Sequence, residues 1–183
     1  DAMAKISSIT TEASATVQGM NLDMKMIDAK GSKVLQTLSM MGNTVQKTVF
    51  DGKDGYMEMQ GQKMPMPAEA KTEHLKKTEL FTELNFKNPT VVGIEKYNGE
   101  DAYVIKESDN TYYYNVKTGL KMGDIQNIKM AGKSNSIPTN YSDYKVVSGV
   151  MMPYTISQNM MGQDIVFNVK SYQVNQAKDT DFK

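Results

Sequence analysis

The sequence contains no cysteine and no arginine, and its charges balance, with 21 lysines against 21 acidic residues among 183. Without cysteine the chain has no disulfide, no thiolate metal ligand and no cysteine nucleophile. Without a surplus of basic residues it lacks the electrostatic field that neutralises nucleic-acid phosphates. These absences exclude redox chemistry at thiols and give no reason to expect a nucleic-acid partner.

Long hydrophobic runs are also missing. No stretch approaches the roughly 18 apolar residues that cross a bilayer, so we expect no transmembrane segment. The N-terminus, DAMAKISSIT, has neither an initiating methionine nor a signal-peptide core. We interpret Asp1 as a cut end, left by removal of a signal peptide or by excision from a longer chain. The length predicts one domain over residues 1–183.

Catalytic motifs are sparse. The one histidine, His74, lies in the charged segment EHLKK, where a surface or lid role is expected, and no G-x-S-x-G nucleophile turn accompanies it. The H-x-x-E-H motif of M16-type zinc peptidases is absent. DGKDG at 51–55 has the composition of a calcium loop but not the spacing of an EF-hand, and a turn explains it better. We therefore predict a non-catalytic chain without a cofactor.

The dominant pattern is an alternation of apolar and polar residues with turn residues every eight to twelve positions, which predicts an antiparallel, mainly β domain of about ten strands. In MNLDMKM, residues 20–26, the apolar set has even numbers. The apolar residues upstream have odd numbers, which we interpret as a bulge near Gly19 in one long first strand. Asn98-Gly99 predicts a hairpin turn.

The residue composition changes after Pro67. Residues 68–86, AEAKTEHLKKTELFTELNF, are rich in Ala, Glu, Lys and Leu and predict one interior helix with a patchy apolar stripe. A short N-terminal helix is expected over residues 1–6, a polar loop over 131–138 and an extended surface tail over 176–183. A strongly bent sheet with the helix as a lid on its concave side is the economical architecture.

Sixteen methionines are the outlier of the composition. Met-x-Met pairs occur at 24/26, 57/59 and 64/66, and residues two apart on a strand share a face, so these thioethers could bind Cu(I). The same flexible, polarisable side chains could instead line a cavity for hydrocarbon, or fill an ordinary core. The spread of methionines over many segments, their exchange with Leu and Val and the lack of a nearby histidine favour the last two interpretations.

The order of these segments resembles a known family. The N-terminal meander, FDGKDGY at 50–56, the central helical segment and the closing phrases YSDYKVVSGVMMPYTI (141–156) and IVFNVKSYQVN (165–175) are similar to the LolA/LolB superfamily of bacterial outer-membrane lipoprotein-sorting proteins. The N-terminal DAMAKISSITTEASATVQGM and the terminal DTDFK look like Bacteroidetes-type envelope domains. Some of those are appended to M16-type zinc peptidases.

The resemblance implies an unclosed β-barrel whose concave apolar surface, under a helical lid, receives acyl chains of a lipid or lipoprotein in the periplasm or cell envelope. Lipoprotein carriers are reported to use an inward arginine, which this chain lacks, so the cargo stays open. The alternative is a non-catalytic accessory domain of an M16-type peptidase with a filled core. The candidate ligand-binding residues combine strand and helix positions: Met20, Leu22, Met24, Met26, Leu38, Met40, Val45, Met57, Met59, Leu80, Phe81 and Leu84.

Overall fold

The computed structural model describes residues 2–130, 133–160 and 163–183, and strands dominate it, as the alternation predicts. The strands of the first part are β1 (Ser8–Val17), β2 (Met20–Ala29), β3 (Lys33–Met40), β4 (Asn43–Phe50), β5 (Gly55–Met59) and β6 (Gln62–Pro65). A single α-helix among the described residues, α1 (Ala68–Leu75), follows them. The later strands are β7 (Thr90–Tyr97), β8 (Glu100–Glu107), β9 (Asn110–Asn115), β10 (Lys121–Met130), β11 (Lys133–Val147), β12 (Val150–Met160) and β13 (Gln163–Val174).

The thirteen described strands form one antiparallel sheet in the order β6-β5-β4-β3-β2-β1-β13-β12-β11-β10-β9-β8-β7. The sheet is not closed in the described part of the chain, since β6 and β7 stand at its two ends. The mainly β fold class is therefore confirmed. The chain divides into two compact units: the first is Asp1–Asn85, Val146–Val150 and Phe167–Lys183, and the second is Phe86–Lys145 and Met151–Val166. A single domain over residues 1–183 stays a prediction.

Two-residue turns join the first strands. Gln18 and Gly19, at φ 51° and 78°, form the turn between β1 and β2, and Met41-Gly42 and Gln60-Gly61 repeat this geometry. Positive φ at both central positions matches the right-handed twist of the strands, and glycine takes it at no steric cost. The expected bulge near Gly19 is therefore wrong, because the change from odd to even apolar positions marks a hairpin.

The predicted helix over residues 68–86 is too long, because α1 ends at Leu75. Asn85 supplies the reason. Its Oδ1 accepts the Glu79 backbone N–H at 3.0 Å, and its Nδ2 donates to the carbonyls of Glu79 and Phe81 at 2.8 and 3.1 Å. A side chain that bonds these backbone groups competes with the helical ladder, and only a short 3₁₀ turn over Thr82–Asn85 follows.

The structure differs from three further expectations. The N-terminal helix is a 3₁₀ turn over Met3–Lys5. The polar loop over 131–138 is wrong from Lys133 onward, where β11 begins, while residues 131 and 132 lie outside the described residues. The surface tail is wrong at Phe182, whose side chain is buried in a 3₁₀ turn.

At one end of the strands, one face of the first unit's sheet is covered in part by the C-terminal segment. This covered face is defined by Thr10, Ile27, Leu35, Val49 and Tyr56, which lie opposite one another across β1 to β5. The Lys33 Nζ lies 5.9 Å from the centre of the buried Phe182 ring, and the Tyr56 hydroxyl donates to the Lys183 carbonyl at 3.4 Å. The covered face thus holds the fully buried Val49 and the buried Ile27 of the core.

Candidate functional site

Strand register places eight of the twelve candidate residues on the face opposite the covered face. Directly opposed residues of antiparallel strands point to the same side. Leu22 pairs with Met40, Met24 with Leu38, and Thr48 with Met57, while Gln46 pairs with both Leu38 and Met59. Met64, opposite Met57, joins them. We call this surface the methionine face, and it comprises Met20, Leu22, Met24, Met26, Leu38, Met40, Met57, Met59 and Met64.

Exposure rises along the methionine face from one end of the strands to the other. Phe50, on the same face, is fully buried where the His74 ring of α1 stacks on it at a centroid distance of 5.2 Å. Met57 is half-buried one row further along, and Met59 is exposed next to the hairpin turn. The same gradient runs along β2 from the half-buried Met26 to the exposed Met20. The helix therefore covers one end of the face and leaves the other open.

The remaining candidates do not join the face through strand register. Val45 is the extra residue of a bulge in β4, where the pairing of Leu38 with Gln46 gives way to that of Ser39 with Thr44. Leu80 and Phe81 are half-buried and Leu84 is exposed in the segment after α1. Their contribution to an apolar site stays a prediction.

Besides Met64, further apolar residues on the same side of the sheet were missed as site residues. Ala13 and Ala15 of β1 lie opposite Met24 and Leu22, Val169 of β13 lies opposite Ala13, and Phe50 lies opposite Val34. The two alanines could have been found from the sequence, because a hairpin at Gln18-Gly19 pairs odd positions of β1 with even positions of β2. Assigning Val169 to this face requires knowledge that β1 pairs with β13, two strands that are far apart in sequence.

Polar groups on the face are few and mostly uncharged. Gln36, Gln46 and Thr48 lie between the methionines of β2 and β5. Asp28 lies at the end near α1, where burial raises the pKa of its carboxyl group to about 6, against a smaller opposing effect of the Lys77 charge. His74 lies at the same end, and burial together with Lys77 lowers the pKa of its imidazole. The site therefore favours neutral groups over charged ones.

Metal ligands of the usual kind are not grouped in the described part of the chain, where no three His, Cys, Asp or Glu side chains are placed to hold an ion. Thioether sulfurs, in contrast to these side chains, are grouped, because Met57, Met59 and Met64 share one face at the β5–β6 edge. The Asp51 carboxylate accepts the backbone N–H groups of Lys53 and Asp54, both at 2.8 Å, which lower its pKa. That carboxylate stabilises its own turn. Copper binding stays a prediction.

A surface cavity of about 510 Å³ lies on the opposite side of the sheet, lined in part by Val49, Tyr56, Lys63, Lys71 and Phe182. Its charged groups are engaged with the protein: Lys71 pairs with Asp54 at 2.6 Å, and the Lys63 Nζ stands 3.5 Å from the centre of the Tyr56 ring. The methionine face offers a hydrocarbon ligand more apolar side chains, which lie on β2, β3, β5 and β6. We therefore take the methionine face as the candidate site.

The second unit contains a buried polar cluster around Asp124. The Asp124 carboxylate is fully buried, lies 3.5 Å from the Lys121 Nζ and accepts the Tyr141 hydroxyl at 3.0 Å. A register shift between Lys121 and Gly123 turns both charges to one side of the strand. Burial and the Asp124 charge raise the pKa of Tyr141. Because these groups satisfy one another, we interpret the cluster as structural.

In residues 2–130, 133–160 and 163–183, no helix has the length and hydropathy that crossing a membrane requires. No family model and no curated protein matches this sequence. The fold, in contrast, is found among solved structures.

A LolA superfamily protein from Nitrosomonas europaea aligns over 97% of this chain and 90% of its own, with a TM-score of 0.63 and 11% identity. A DUF1329 family protein from Desulfovibrio piger aligns over 99% of this chain and 91% of its own, with a TM-score of 0.65 and 12% identity. The lipoprotein LppX of Mycobacterium tuberculosis aligns with a TM-score of only 0.37, which supports no argument. The structure of this chain is thus similar to the LolA fold, as the resemblance predicts.

Proposed function

We propose that the chain is a non-catalytic, carrier-like module of the bacterial periplasm or cell envelope, and that its methionine face binds the acyl chain of a lipid or lipoprotein. The observation that carries this proposal is the contrast within one sheet. The C-terminal segment lies against the covered face near Tyr56, while the methionine face stays half-exposed or exposed from Met57 to Met59 and from Met26 to Met20. Exposed groups of apolar side chains of this kind often mark a binding site.

The physical driving force is removal of hydrocarbon from water. Each buried methylene contributes about 0.8 kcal/mol, so eight would give about 6 kcal/mol before the cost of association and ordering is subtracted. Methionine suits such a surface, because its unbranched side chain adapts to a flexible ligand. Gln36 and Gln46 would offer amide groups to the ester or amide linkages of the ligand. The result is useful but reversible binding.

The LolA-like fold supports the same function class, although at 11% identity it carries only the architecture. The proposal includes a cargo that bears an acyl chain and a location in the cell envelope. It also includes a role for residues 80–84 as a lid. An association with an M16-type peptidase stays a prediction from the sequence resemblance.

The test uses neighbouring residues of β2 that point to opposite faces. We would titrate the protein with a fluorescent long-chain fatty acid and confirm the stoichiometry with a triacylated lipopeptide by native mass spectrometry. Met24→Gln places an amide on the methionine face and should weaken binding about tenfold, because a buried amide without a partner is costly. Lys25→Gln places the same amide on the other side and should leave the affinity within about twofold.

Two results would contradict the proposal. One is a wild-type protein that binds neither probe. The other is equal weakening by the two substitutions, which would show that the ligand does not contact the methionine face.

A further inference from the structure

We propose that the methionine face is an oxidation-sensitive switch, in which conversion of Met20, Met59 and Met64 to sulfoxides by hydrogen peroxide or a related peroxide weakens binding of hydrocarbon. The inference rests on the proposed function and adds a mode of regulation to it. Seven of the sixteen methionines lie on this one face: Met20, Met24, Met26, Met40, Met57, Met59 and Met64.

The three residues of the switch are the accessible ones. Met20 is 41% exposed, Met59 is 48% exposed and Met64 is 46% exposed, whereas Met24, Met26 and Met57 on the same face are half-buried. Met59 and Met64 lie on the paired strands β5 and β6, close to the turn at Gln60-Gly61. Met20 lies beside the turn at Gln18-Gly19. Peroxide in solution therefore reaches the open end of the face first.

The chemistry needs no group from the protein beyond the thioether. The sulfur attacks one peroxide oxygen, the O–O bond breaks, and the sulfur gains that oxygen to become a sulfoxide while the peroxide is reduced to water. The product is polar, and it stands where the thioether had been an apolar contact. Covering it with an acyl chain would remove a hydrogen-bond acceptor from water without replacing its partner.

Few neighbouring groups would compensate for this change. Met59 lies opposite Gln46 and Gln62, while Met64 lies opposite Met57. Gln46 and Gln62 could donate to a sulfoxide at position 59, but a sulfoxide at position 64 would face another thioether. Oxidation therefore makes the open end of the face more polar, and the sulfoxide at position 64 has no hydrogen-bond donor directly opposite it on β5.

The chain contains its own controls. Met66 and Met152 are buried, at 3% and 7% exposure, and should resist oxidation in the folded protein. Met41 is 81% exposed in the turn between β3 and β4, and Met151 is 40% exposed in the second unit. Both should oxidise readily without belonging to the face.

The experiment treats the folded protein with graded hydrogen peroxide, maps sulfoxides by peptide mass spectrometry and measures affinity for the fluorescent fatty acid. Oxidation at positions 20, 59 and 64 should precede that at 66 and 152 and should lower the affinity about tenfold or more. The affinity of the triple variant Met20→Leu/Met59→Leu/Met64→Leu is measured before and after peroxide, and the ratio of the two values should stay within about twofold, although Met41 and Met151 still oxidise. The double variant Met41→Leu/Met151→Leu should lose affinity like the wild type. Circular dichroism of the oxidised protein checks that the fold persists.

Unchanged affinity of the oxidised wild type would overturn this inference while leaving the proposed function intact. Equal loss of affinity in the oxidised triple variant would overturn it as well, since the sensitivity would lie elsewhere. Failure of the untreated protein to bind the probe is a different result, and it contradicts the proposed function itself.

Discussion

The two faces of the first unit's sheet are built from the same strands but differ in how far their side chains are buried. On β2, Ile27 points to the covered face and is buried, whereas its neighbour Met26 points to the methionine face and is only half-buried. The covered face uses β-branched and aromatic residues, which pack with few rotamers. The open face uses flexible thioethers. The difference shows that one sheet can separate stability from binding by assigning each to a different side.

The largest expected effect comes from a truncation on the covered face. Ile27→Ala should reduce the free energy of unfolding by about 2–5 kcal/mol, because a buried side chain is lost and a cavity remains. Met26→Ala, one position away on the open face, should cost less than about 1 kcal/mol, since less surface is buried there. Chemical denaturation measures both. Equal losses of unfolding free energy in the two variants would show that the methionine face is as well packed as the covered face.

A second prediction concerns the pH dependence that Asp28 introduces at the α1 end of the methionine face. Its pKa of about 6 in the folded protein exceeds the ordinary 3.8, so the folded protein keeps a proton that the unfolded chain loses first. This contribution to stability is fully present below about pH 4 and disappears as the pH rises through about 6. It amounts to at most about 3 kcal/mol.

The matched variant is Asp28→Asn, which keeps the shape and removes the titration. Between pH 4 and 7 the wild type should lose stability relative to this variant, as measured by denaturant unfolding at each pH. Parallel stability curves for the two proteins would show that this end of the face does not exclude water.

A smaller effect is expected from the segment that follows α1. Asn85→Ala removes the three hydrogen bonds to Glu79 and Phe81 and should cost about 1–2 kcal/mol, because partly buried backbone groups lose their partners. Asn88→Ala, at an exposed position nearby, should change stability by less than about 0.5 kcal/mol. Faster hydrogen exchange over residues 76–85 in Asn85→Ala alone would sharpen the comparison. Equal behaviour of the two variants would contradict the role assigned to Asn85.

The smallest effect on stability is expected at the open end of the methionine face. Met59→Leu should change the free energy of unfolding by less than about 0.5 kcal/mol, because the side chain is exposed and the two residues are similar in volume. Thermal unfolding followed by circular dichroism measures it. A loss above about 1 kcal/mol would mean that Met59 contributes to the core rather than to a binding surface.

Much of this architecture is predictable from the sequence. Even-numbered apolar residues from Met20 to Met26 identify one face of β2, and pairs such as Asn98-Gly99 identify the turns, because both signals are local. The early end of α1 is not predictable in this way. It depends on Asn85 bonding backbone groups that the helix would otherwise use, a choice made by tertiary structure.

The candidate site shows the same division between local and long-range information. Periodicity indicates which residues of one strand share a side, such as Met24 and Met26 on β2 or Met57 and Met59 on β5. Phe182 lines the same cavity as Val49 on the other side of the sheet, although 133 positions separate the two in sequence. Alternation within β4 gives Val45 the parity of Val49, which lies on the covered face, and Val45 itself stands at a bulge. Alternation therefore predicts the composition of a face, while only long-range pairing decides whether the face is covered.

The central claim is that an acyl chain contacts the methionine face, and methyl spectra of methionine test it most directly. With ¹³C-methyl-labelled methionine, assigned through single Met→Leu variants, a titration with a monoacyl phospholipid should shift the resonances of Met20, Met24, Met26, Met57 and Met59. The resonance of the buried Met66 should stay in place. Saturable binding that shifts only methionines away from this face, such as Met41 and Met151, or the absence of any shift would contradict the account.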